Sequence, residues 1–149
     1  MITPFRFQSF YVLTAGNVRM FVLFTGPVHR IQGWKGCDLV CAIAGILDLS
    51  IHEKILSRFL ETMDRRGPDG NGIARGDGWA LLHSRLAIID PQGGKQPMKA
   101  AWAGETYTIS YNGELYNTRE LRRELGQLGH IFATQSDTEV VLRAFCQWG

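Results

Sequence analysis

The chain has 149 residues, of which 45% are hydrophobic and 20% are charged. This is enough apolar sequence for the core of one domain, and it excludes a disordered tail, a collagen-like fibre and a coiled coil. The formal net charge of +2 at pH 7 does not indicate a nucleic-acid partner. Residues 1–40 carry a net charge of +3 and residues 41–149 carry −1, so the two segments are interpreted separately.

The cysteine pattern bears on the compartment and on metal binding. Cys37, Cys41 and Cys146 are an odd and small number, which does not form a disulfide framework and favours a reducing compartment. We therefore expect a cytoplasmic protein. No histidine lies at zinc-finger spacing from Cys37 and Cys41, so we expect no metal site.

Residues 1–40 contain two apolar stretches, at 10–15 and 20–25. Both are shorter than the roughly 18–20 residues that span a bilayer, and no signal-peptide cleavage motif follows them. A membrane-associated protein led by this segment is therefore disfavoured. The pattern indicates neither a helix nor a strand. Three interpretations stay open: a pro-segment, an extra structural element, or sequence that the mature protein lacks.

Residues 41–63 combine a strand pattern with a helix pattern. The apolar run at 41–49 predicts a buried strand. Ser50 and Glu53 form a capping box, which predicts the start of a helix. The apolar face of this helix carries Ile51, Ile55, Leu56, Phe59, Leu60 and Met63.

Short apolar runs bounded by turn residues predict the remaining strands. A turn at 67–70 ends the first helix, and the dipeptide Asn112-Gly113 ends a strand. Strands that follow one another without a helix between them favour antiparallel pairing, so the expected class is α+β. The predicted strands lie at 79–82, 86–89, 106–111 and 130–133.

Two further capping boxes predict two further helices. Asn117 with Glu120 opens a helix that Gly129 closes, and Ser136 with Glu139 opens another. We interpret Ser136 and Glu139 as a helix cap. The apolar positions of these helices are Leu121, Leu125, Leu128, Val140, Ala144, Phe145 and Trp148.

Six short strings occur in one order along residues 41–149. They are CAIAGI (41–46), RGPDGNG (66–72), HSRLAIID (83–90), GKQP (94–97), NGELYN (112–117) and SDTE (136–139). Together they resemble the N-terminal glutamine amidotransferase domain of the glutamine-hydrolysing asparagine synthetases, which are N-terminal nucleophile enzymes. The resemblance implies two stacked, mostly antiparallel sheets between helices, an αββα arrangement.

The resemblance implies hydrolysis of the side-chain amide of L-glutamine to glutamate and ammonia. It assigns the nucleophile to Cys41, whose thiol attacks the amide carbon while its own α-amino group handles the proton. An α-amine with an ordinary pKa of about 7.7–8.0 suits this task, whereas the lone pair of a peptide nitrogen is held in resonance. Asn112 and Gly113 match the side-chain amide and the backbone N–H that stabilise the oxyanion. Taken alone, these residues would be interpreted as a buried strand cysteine and a hairpin turn.

The same resemblance assigns the groups that bind the charged ends of glutamine. Arg85 matches the residue that holds the carboxylate, and a guanidinium suits this task because it binds a carboxylate through two hydrogen bonds. Asp137 matches the residue that receives the ammonium group, and Glu114 lines the pocket. Arg66 and Asp69 are interpreted as residues that organise a nearby loop.

The sequence departs from the family immediately before Cys41, because Val40 is attached to the Cys41 nitrogen. The chain as written is therefore expected to lack glutaminase activity. Removal of residues 1–40 as a pro-segment would free the amine. Translation from a GTG codon at position 40 would also free it, and we favour this interpretation. We divide the chain into an N-terminal extension, 1–40, and a partial amidotransferase domain, 41–149.

The resemblance also stops before the family's amidotransferase domain ends. We expect an incomplete fold whose later strands and C-terminal synthetase domain are missing. In the complete family enzyme that domain uses ATP and magnesium to convert aspartate to asparagine, so no cofactor is expected for this part. A homodimer is expected at full length. Two alternatives stay open: an amidotransferase for another ammonia acceptor, and an inactive glutamine-binding homologue whose Cys41 is not N-terminal.

Overall fold

The computed structural model describes residues 9–15, 18–24, 41–47, 52–86 and 93–149. These residues form strands and helices in a mixed order along the chain. They are β1 (Ser9–Ala15), β2 (Val18–Phe24), β3 (Ala42–Leu47), α1 (Glu53–Met63), β4 (Gly70–Gly76), β5 (Trp79–Arg85), β6 (Met98–Trp102), β7 (Glu105–Asn112), α2 (Thr118–Gln127) and α3 (Asp137–Trp148).

The strands form two sheets, one in the order β1-β2-β7-β6 and the other in the order β3-β5-β4. In the part of the chain that the structure describes, every strand pair is antiparallel except β2 with β7, which run parallel. Helices combined with mostly antiparallel open sheets confirm the predicted α+β class.

Helix α1 covers one face of the β3-β5-β4 sheet. Its buried Leu56 and Met63 pack with Ala80 and Leu82 of β5. Ala80 and Leu82 point to the same face because side chains two residues apart on a strand do so. Complete burial of a side chain such as Leu56 contributes about 1.5–3 kcal/mol, which fixes α1 on this sheet.

Helices α2 and α3 lie on the outer face of the β1-β2-β7-β6 sheet. Val141 and Leu142 of α3 share a core with Ile109 of β7. Leu125 of α2 packs with Val140 of α3, so α2 is attached to the sheet mainly through α3.

The inner faces of the two sheets meet through a buried polar contact. His83 of β5 and Ser110 of β7 are fully buried, and the His83 Nδ1 atom lies 2.8 Å from the Ser110 Oγ atom. His83 follows Leu82 and Ser110 follows Ile109, so both side chains point away from the helices. The layers are therefore helix, sheet, sheet and helices, as the resemblance implies.

Three of the predicted strands are confirmed, as β3, β5 and β7. Residues 48–49 and 87–89, which complete two of the predicted runs, lie outside the described residues. The patterns do not predict β1, β2, β4 or β6. In β4 the reason is the glycine content, which disfavours a strand prediction. A Cβ atom at Gly76 would lie 2.4 Å from the indole nitrogen of Trp79, so glycine is needed there for packing.

Helix α1 begins later than its capping box predicts. It starts at Glu53 with His52 as the N-cap residue, so the assignment of Ser50 as the cap is wrong. The Glu53 carboxylate pairs with Arg75 of β4. Ser50 itself lies outside the described residues, as does Ile51.

The starts of α2 and α3 and the end of α2 agree with the predictions. Asn117 and Ser136 are the N-cap residues, and the Ser136 hydroxyl accepts a hydrogen bond from the Thr138 N–H at 3.2 Å. Gly129 ends α2 with a φ angle of +92°, a left-handed conformation that glycine adopts easily. The Asn117 side chain, however, makes no capping hydrogen bond.

The predicted apolar faces are only partly buried. Leu56, Met63, Leu121, Leu125 and Val140 are buried as expected. Other members of the same faces are 43–48% exposed within the described structure. These are Ile55, Phe59, Leu128 and Trp148.

The predicted strand at 130–133 is wrong. The segment is a loop in which Ile131 is 82% exposed. The Glu139 carboxylate accepts the N–H groups of Ala133, at 2.9 Å, and Thr134, at 2.7 Å. These hydrogen bonds draw the backbone toward α3, so it does not extend a sheet.

Candidate active site

Cys41 lies immediately before β3, at one end of the β3-β5-β4 sheet. The pairing of Ala42 with Ser84 places it beside Leu86, which follows β5. The Leu86 N–H donates to the Cys41 Sγ atom at 3.3 Å, and the thiol lies 3.6 Å from the Leu86 carbonyl oxygen. Cys41 is partly accessible, as a nucleophile must be.

Asn112, at the end of β7 in the β1-β2-β7-β6 sheet, contacts Cys41. Its side-chain Nδ2 atom donates to the backbone carbonyl oxygen of Cys41 at 3.1 Å. The structure therefore brings together the predicted nucleophile and one predicted oxyanion donor, which are 71 residues apart. Gly113 is the next residue and is exposed. A donor held this close to the nucleophile can stabilise negative charge that develops during attack.

Arg85 is the last residue of β5 and opens onto a cavity of about 320 Å³. A cavity of this size admits a small ligand such as a free amino acid. Among the described residues, Arg85 contributes to its wall, but Cys41 and Asn112 do not. The lining residues are Asp69, Gly70, Asn71, Gly72, Ile73, Arg85, Lys95, Gln96 and Pro97.

The loop predicted to organise the site packs directly on β5. The Asp69 N–H donates to the Arg85 carbonyl oxygen at 3.0 Å. A Cβ atom at Gly67 would lie 2.3 Å from the Ser84 carbonyl group, so this close approach requires glycine. Asp69 therefore lies against the end of β5 at Arg85, whereas the described backbone bond of Arg66 is to Met63, and both side chains are exposed.

Asp137 begins α3 and is joined to the segment that follows Asn112. Its Oδ2 atom accepts the Leu115 N–H at 3.3 Å, and its Oδ1 atom accepts the Thr138 N–H at 2.8 Å. Burial raises the pKa of Asp137; the hydrogen bonds from Leu115 and Thr138 oppose this effect, and the negative charge of Glu114 adds to it. Glu114 is exposed. Asp137 and Glu114 thus form a second group of site residues. Residues 112–115 link it to the first group, Cys41 and Asn112.

Gln96 is a central residue of the site that the sequence analysis did not select. Its Nε2 atom donates to the Tyr111 carbonyl oxygen at 3.0 Å and to the Thr138 Oγ1 atom at 3.2 Å. Its Oε1 atom accepts the Tyr111 N–H at 2.6 Å. The string GKQP contains this residue, but spacing alone does not reveal partners 15 and 42 residues away.

His83 lies two residues before Arg85, between the sheets. Burial lowers the pKa of His83 to about 4, and the positive charge of Arg85 contributes. The imidazole is therefore neutral at pH 7. Its Nε2 atom is buried and has no hydrogen-bond partner among the described residues. The string HSRLAIID contains His83, but no pattern in the sequence indicates a role for this residue.

Among the described residues, no group of three or more His, Cys, Asp or Glu side chains could hold a metal ion. Within the same residues, no helix has the length and apolar character needed to cross a membrane.

A family model described as a glutamine amidotransferase domain matches residues 40–149. This match includes every predicted site residue and all the strands and helices from β3 to α3. The chain belongs to the glutamine amidotransferase domain family.

Similar proteins within this family are named as asparagine synthetases. The chain is 43% identical over 113 residues to asparagine synthetase (glutamine-hydrolyzing) 3 of Bacillus subtilis, covering 73% of this chain and 18% of the relative. It is 36% identical over 114 residues to asparagine synthetase B (glutamine-hydrolyzing) of Escherichia coli, covering 74% and 20%. The corresponding enzyme of Zea mays is 36% identical over 113 residues, covering 74% and 18%. The matched region thus spans at most a fifth of each of these relatives.

Proposed function

We propose that this chain carries the glutaminase site of an asparagine synthetase-type amidotransferase. The reaction is hydrolysis of the side-chain amide of L-glutamine to glutamate and ammonia. The ammonia then serves ATP-dependent synthesis of asparagine from aspartate in a longer protein. The names of the relatives from three organisms support the choice of glutamine and asparagine.

The observation that carries the proposal is the hydrogen bond between Asn112 Nδ2 and the Cys41 carbonyl oxygen, at 3.1 Å. It joins the two sheets where the proposed nucleophile and the proposed oxyanion donor lie. A buried structural cysteine would not require a side-chain amide at this place. Loss of one such oxyanion donor lowers kcat by about 10²–10³ in enzymes that form tetrahedral intermediates.

In the proposed mechanism the Cys41 thiolate attacks the amide carbon of glutamine and forms a tetrahedral intermediate. The α-amine of Cys41 accepts the thiol proton and returns a proton to the departing ammonia. Asn112 and the Gly113 N–H stabilise the oxyanion. Water then hydrolyses the thioester to release glutamate and restore the thiol.

The charged ends of the substrate select free glutamine. Arg85 binds the α-carboxylate, with the cavity beside it available to a small ligand. Asp137 binds the α-ammonium group and must be ionised to do so. Glu114 lies on the loop that contacts Asp137 and adds negative charge there.

This chemistry requires a free amine on Cys41, whereas Val40 precedes Cys41 in the sequence. We propose that the active form begins at Cys41, through removal of residues 1–40 or through translation from position 40. If the amine is not freed, the same pocket would bind glutamine without cleaving it.

The test combines the N-terminus with the reaction. Intact mass and N-terminal sequencing of the protein made from its native gene should show Cys41 first. Ammonia release should then occur with L-glutamine and not with D-glutamine. A chain that keeps residues 1–40, binds glutamine and releases no ammonia would instead be the inactive homologue. A protein that neither binds nor cleaves glutamine would overturn the proposal.

A further inference from the structure

Gln96 lies where the ladder between β6 and β7 stops. The last β6 pair in this direction is Met98 with Ile109. The next position is Pro97, which has no N–H to donate. Beyond it, the Gln96 side chain takes the place of a strand, since its amide both donates to and accepts from the backbone of Tyr111, at 3.0 and 2.6 Å.

The same amide also reaches helix α3. The Gln96 Nε2 atom donates to the Thr138 Oγ1 atom at 3.2 Å. Thr138 follows Asp137, and Tyr111 precedes Asn112. One side chain therefore contacts the immediate neighbours of two residues assigned to opposite ends of glutamine.

The approach of Gln96 to the site depends on Gly72 of β4. A Cβ atom at Gly72 would lie 1.8 Å from the Gln96 carbonyl oxygen. Gly72 and Gln96 also line the cavity that contains Arg85. The backbone of Gln96 is thus held by β4 while its side chain holds β7 and α3.

We propose that Gln96 is a positioning residue that couples the oxyanion donor Asn112 to the ammonium partner Asp137. This inference rests on the proposed function for its effect on glutamine. The coupling itself is a property of the unliganded chain, because all the atoms that carry it belong to Gln96, Tyr111 and Thr138.

The test uses the full-length chain and four variants. Gln96→Met removes both the donor and the acceptor of the side-chain amide at similar length. Thr138→Val removes only the contact with α3, and Gln96→Glu keeps an acceptor for the Tyr111 N–H but loses the donor. Gln127→Met makes the same change as Gln96→Met at an exposed position and serves as the control.

Two readouts are measured: amide hydrogen exchange by NMR, and the dissociation constant for L-glutamine by calorimetry. Gln96→Met should speed exchange of the Tyr111 N–H and also of the Leu115 N–H, whose acceptor is Asp137 and not Gln96. Thr138→Val should speed only Leu115. All three variants other than the control should weaken glutamine binding by roughly tenfold, the effect of one lost buried hydrogen bond.

The outcomes separate this inference from the proposed function. Faster exchange at Tyr111 alone, with unchanged exchange at Leu115 and unchanged glutamine binding, would mean a local bond and would overturn the coupling. Coupled exchange in a chain that does not bind glutamine would support the positioning role and reject the substrate. Exchange rates in Gln96→Met no faster than in Gln127→Met would reject the positioning role directly.

Discussion

The two halves of the site are held in different ways. Around Cys41, the backbone of the nucleophile is held, since Ala42 pairs with Ser84 and Asn112 binds the Cys41 carbonyl oxygen, while the thiol itself contacts only the Leu86 backbone. Around the start of α3, the carboxylates themselves hold the structure, since Asp137 accepts the Leu115 N–H and Glu139 accepts N–H groups of the adjacent loop.

This difference determines whether a substitution affects the reaction or the structure. A side-chain change at Cys41 removes the reactive group but leaves in place the pairing of Ala42 with Ser84 that positions it. A change at the start of α3 removes the group and also the hydrogen bonds that hold the neighbouring loop. We therefore expect changes at Cys41 to abolish activity while leaving stability almost unchanged. Changes at the start of α3 should lower stability.

The largest expected effect is on catalysis by Cys41. In the form that hydrolyses glutamine, Cys41→Ala should lower the rate of ammonia release by at least about a thousandfold, because the nucleophile is removed. The free energy of unfolding in urea should change by less than about 1 kcal/mol, since the thiol makes only weak contacts. Cys146→Ala is the matched control: it should keep the rate while losing about 1 kcal/mol, because Cys146 is buried in the α3 core. The reverse pattern would contradict the comparison.

His83, between the two sheets, should make stability sensitive to acid. Burial and the nearby Arg85 lower its pKa to about 4, so the folded state favours the neutral ring. This lowered pKa does not reduce the free energy of unfolding above pH 6.5. As the pH falls from 6.5 toward 4, the unfolded state binds a proton that the folded state does not, and the free energy of unfolding falls by about 3 kcal/mol in total. Urea unfolding of His83→Gln between pH 4 and 7 should lack this part of the decline. His52→Gln, a change at an exposed histidine, should keep the wild-type profile.

Glu139 tests the contacts around the start of α3. Glu139→Gln should lower the free energy of unfolding at pH 7 by about 2 kcal/mol, because the Ala133 and Thr134 donors lose a charged acceptor. Burial raises the pKa of Glu139, but the hydrogen bonds from Ala133 and Thr134 and the charge of Arg143 outweigh it and leave the pKa lowered.

The lowered pKa of Glu139 also fixes the sign of a pH effect. Its stabilisation is fully present above the ordinary pKa of about 4.3 and disappears as the pH falls through the lowered value. Wild type and Glu139→Gln should therefore converge in stability as the pH falls below about 4.3. Glu61→Gln, at an exposed position of α1, is the control and should match wild type at pH 7. A constant gap across this pH range would exclude the carboxylate as the cause.

The smallest expected effect is at the exposed ion pair between Glu53 and Arg75. The side chains are 66% and 58% exposed, so solvent screens their attraction. Glu53→Gln should change the free energy of unfolding by no more than about 0.5 kcal/mol in urea titrations. A loss as large as that of Glu139→Gln would show that exposure does not separate the two carboxylates.

The sequence predicts the helices better than the strands. Capping residues and a 3.6-residue period mark α2 and α3 locally, and Gly129 ends α2 where expected. The β4 strand was missed because Gly72 and Gly76 serve close contacts with Gln96 and Trp79 that only the folded chain creates. The segment at 130–133 was misinterpreted because its N–H groups bind Glu139 and not a neighbouring strand.

Some residues of the candidate site are predicted from the sequence and others are not, for a similar reason. The family strings named Cys41 and Asn112, and the structure brings them into contact. The string GKQP contains Gln96 but assigns it no role, because its contacts depend on partners in β7 and α3. His83 was likewise present in a string but acquires its lowered pKa only when the two sheets bury it.

The parallel pairing of β2 with β7 places part of residues 1–40 along the strand that carries Asn112. It runs from Val18 with Thr106 to Phe24 with Asn112, along the strand that ends at the proposed oxyanion donor. Any event that frees the Cys41 amine by discarding residues 1–40 also strips this flank of β7. In the proposed active form, β7 would therefore present an unpaired edge, to which another strand can add.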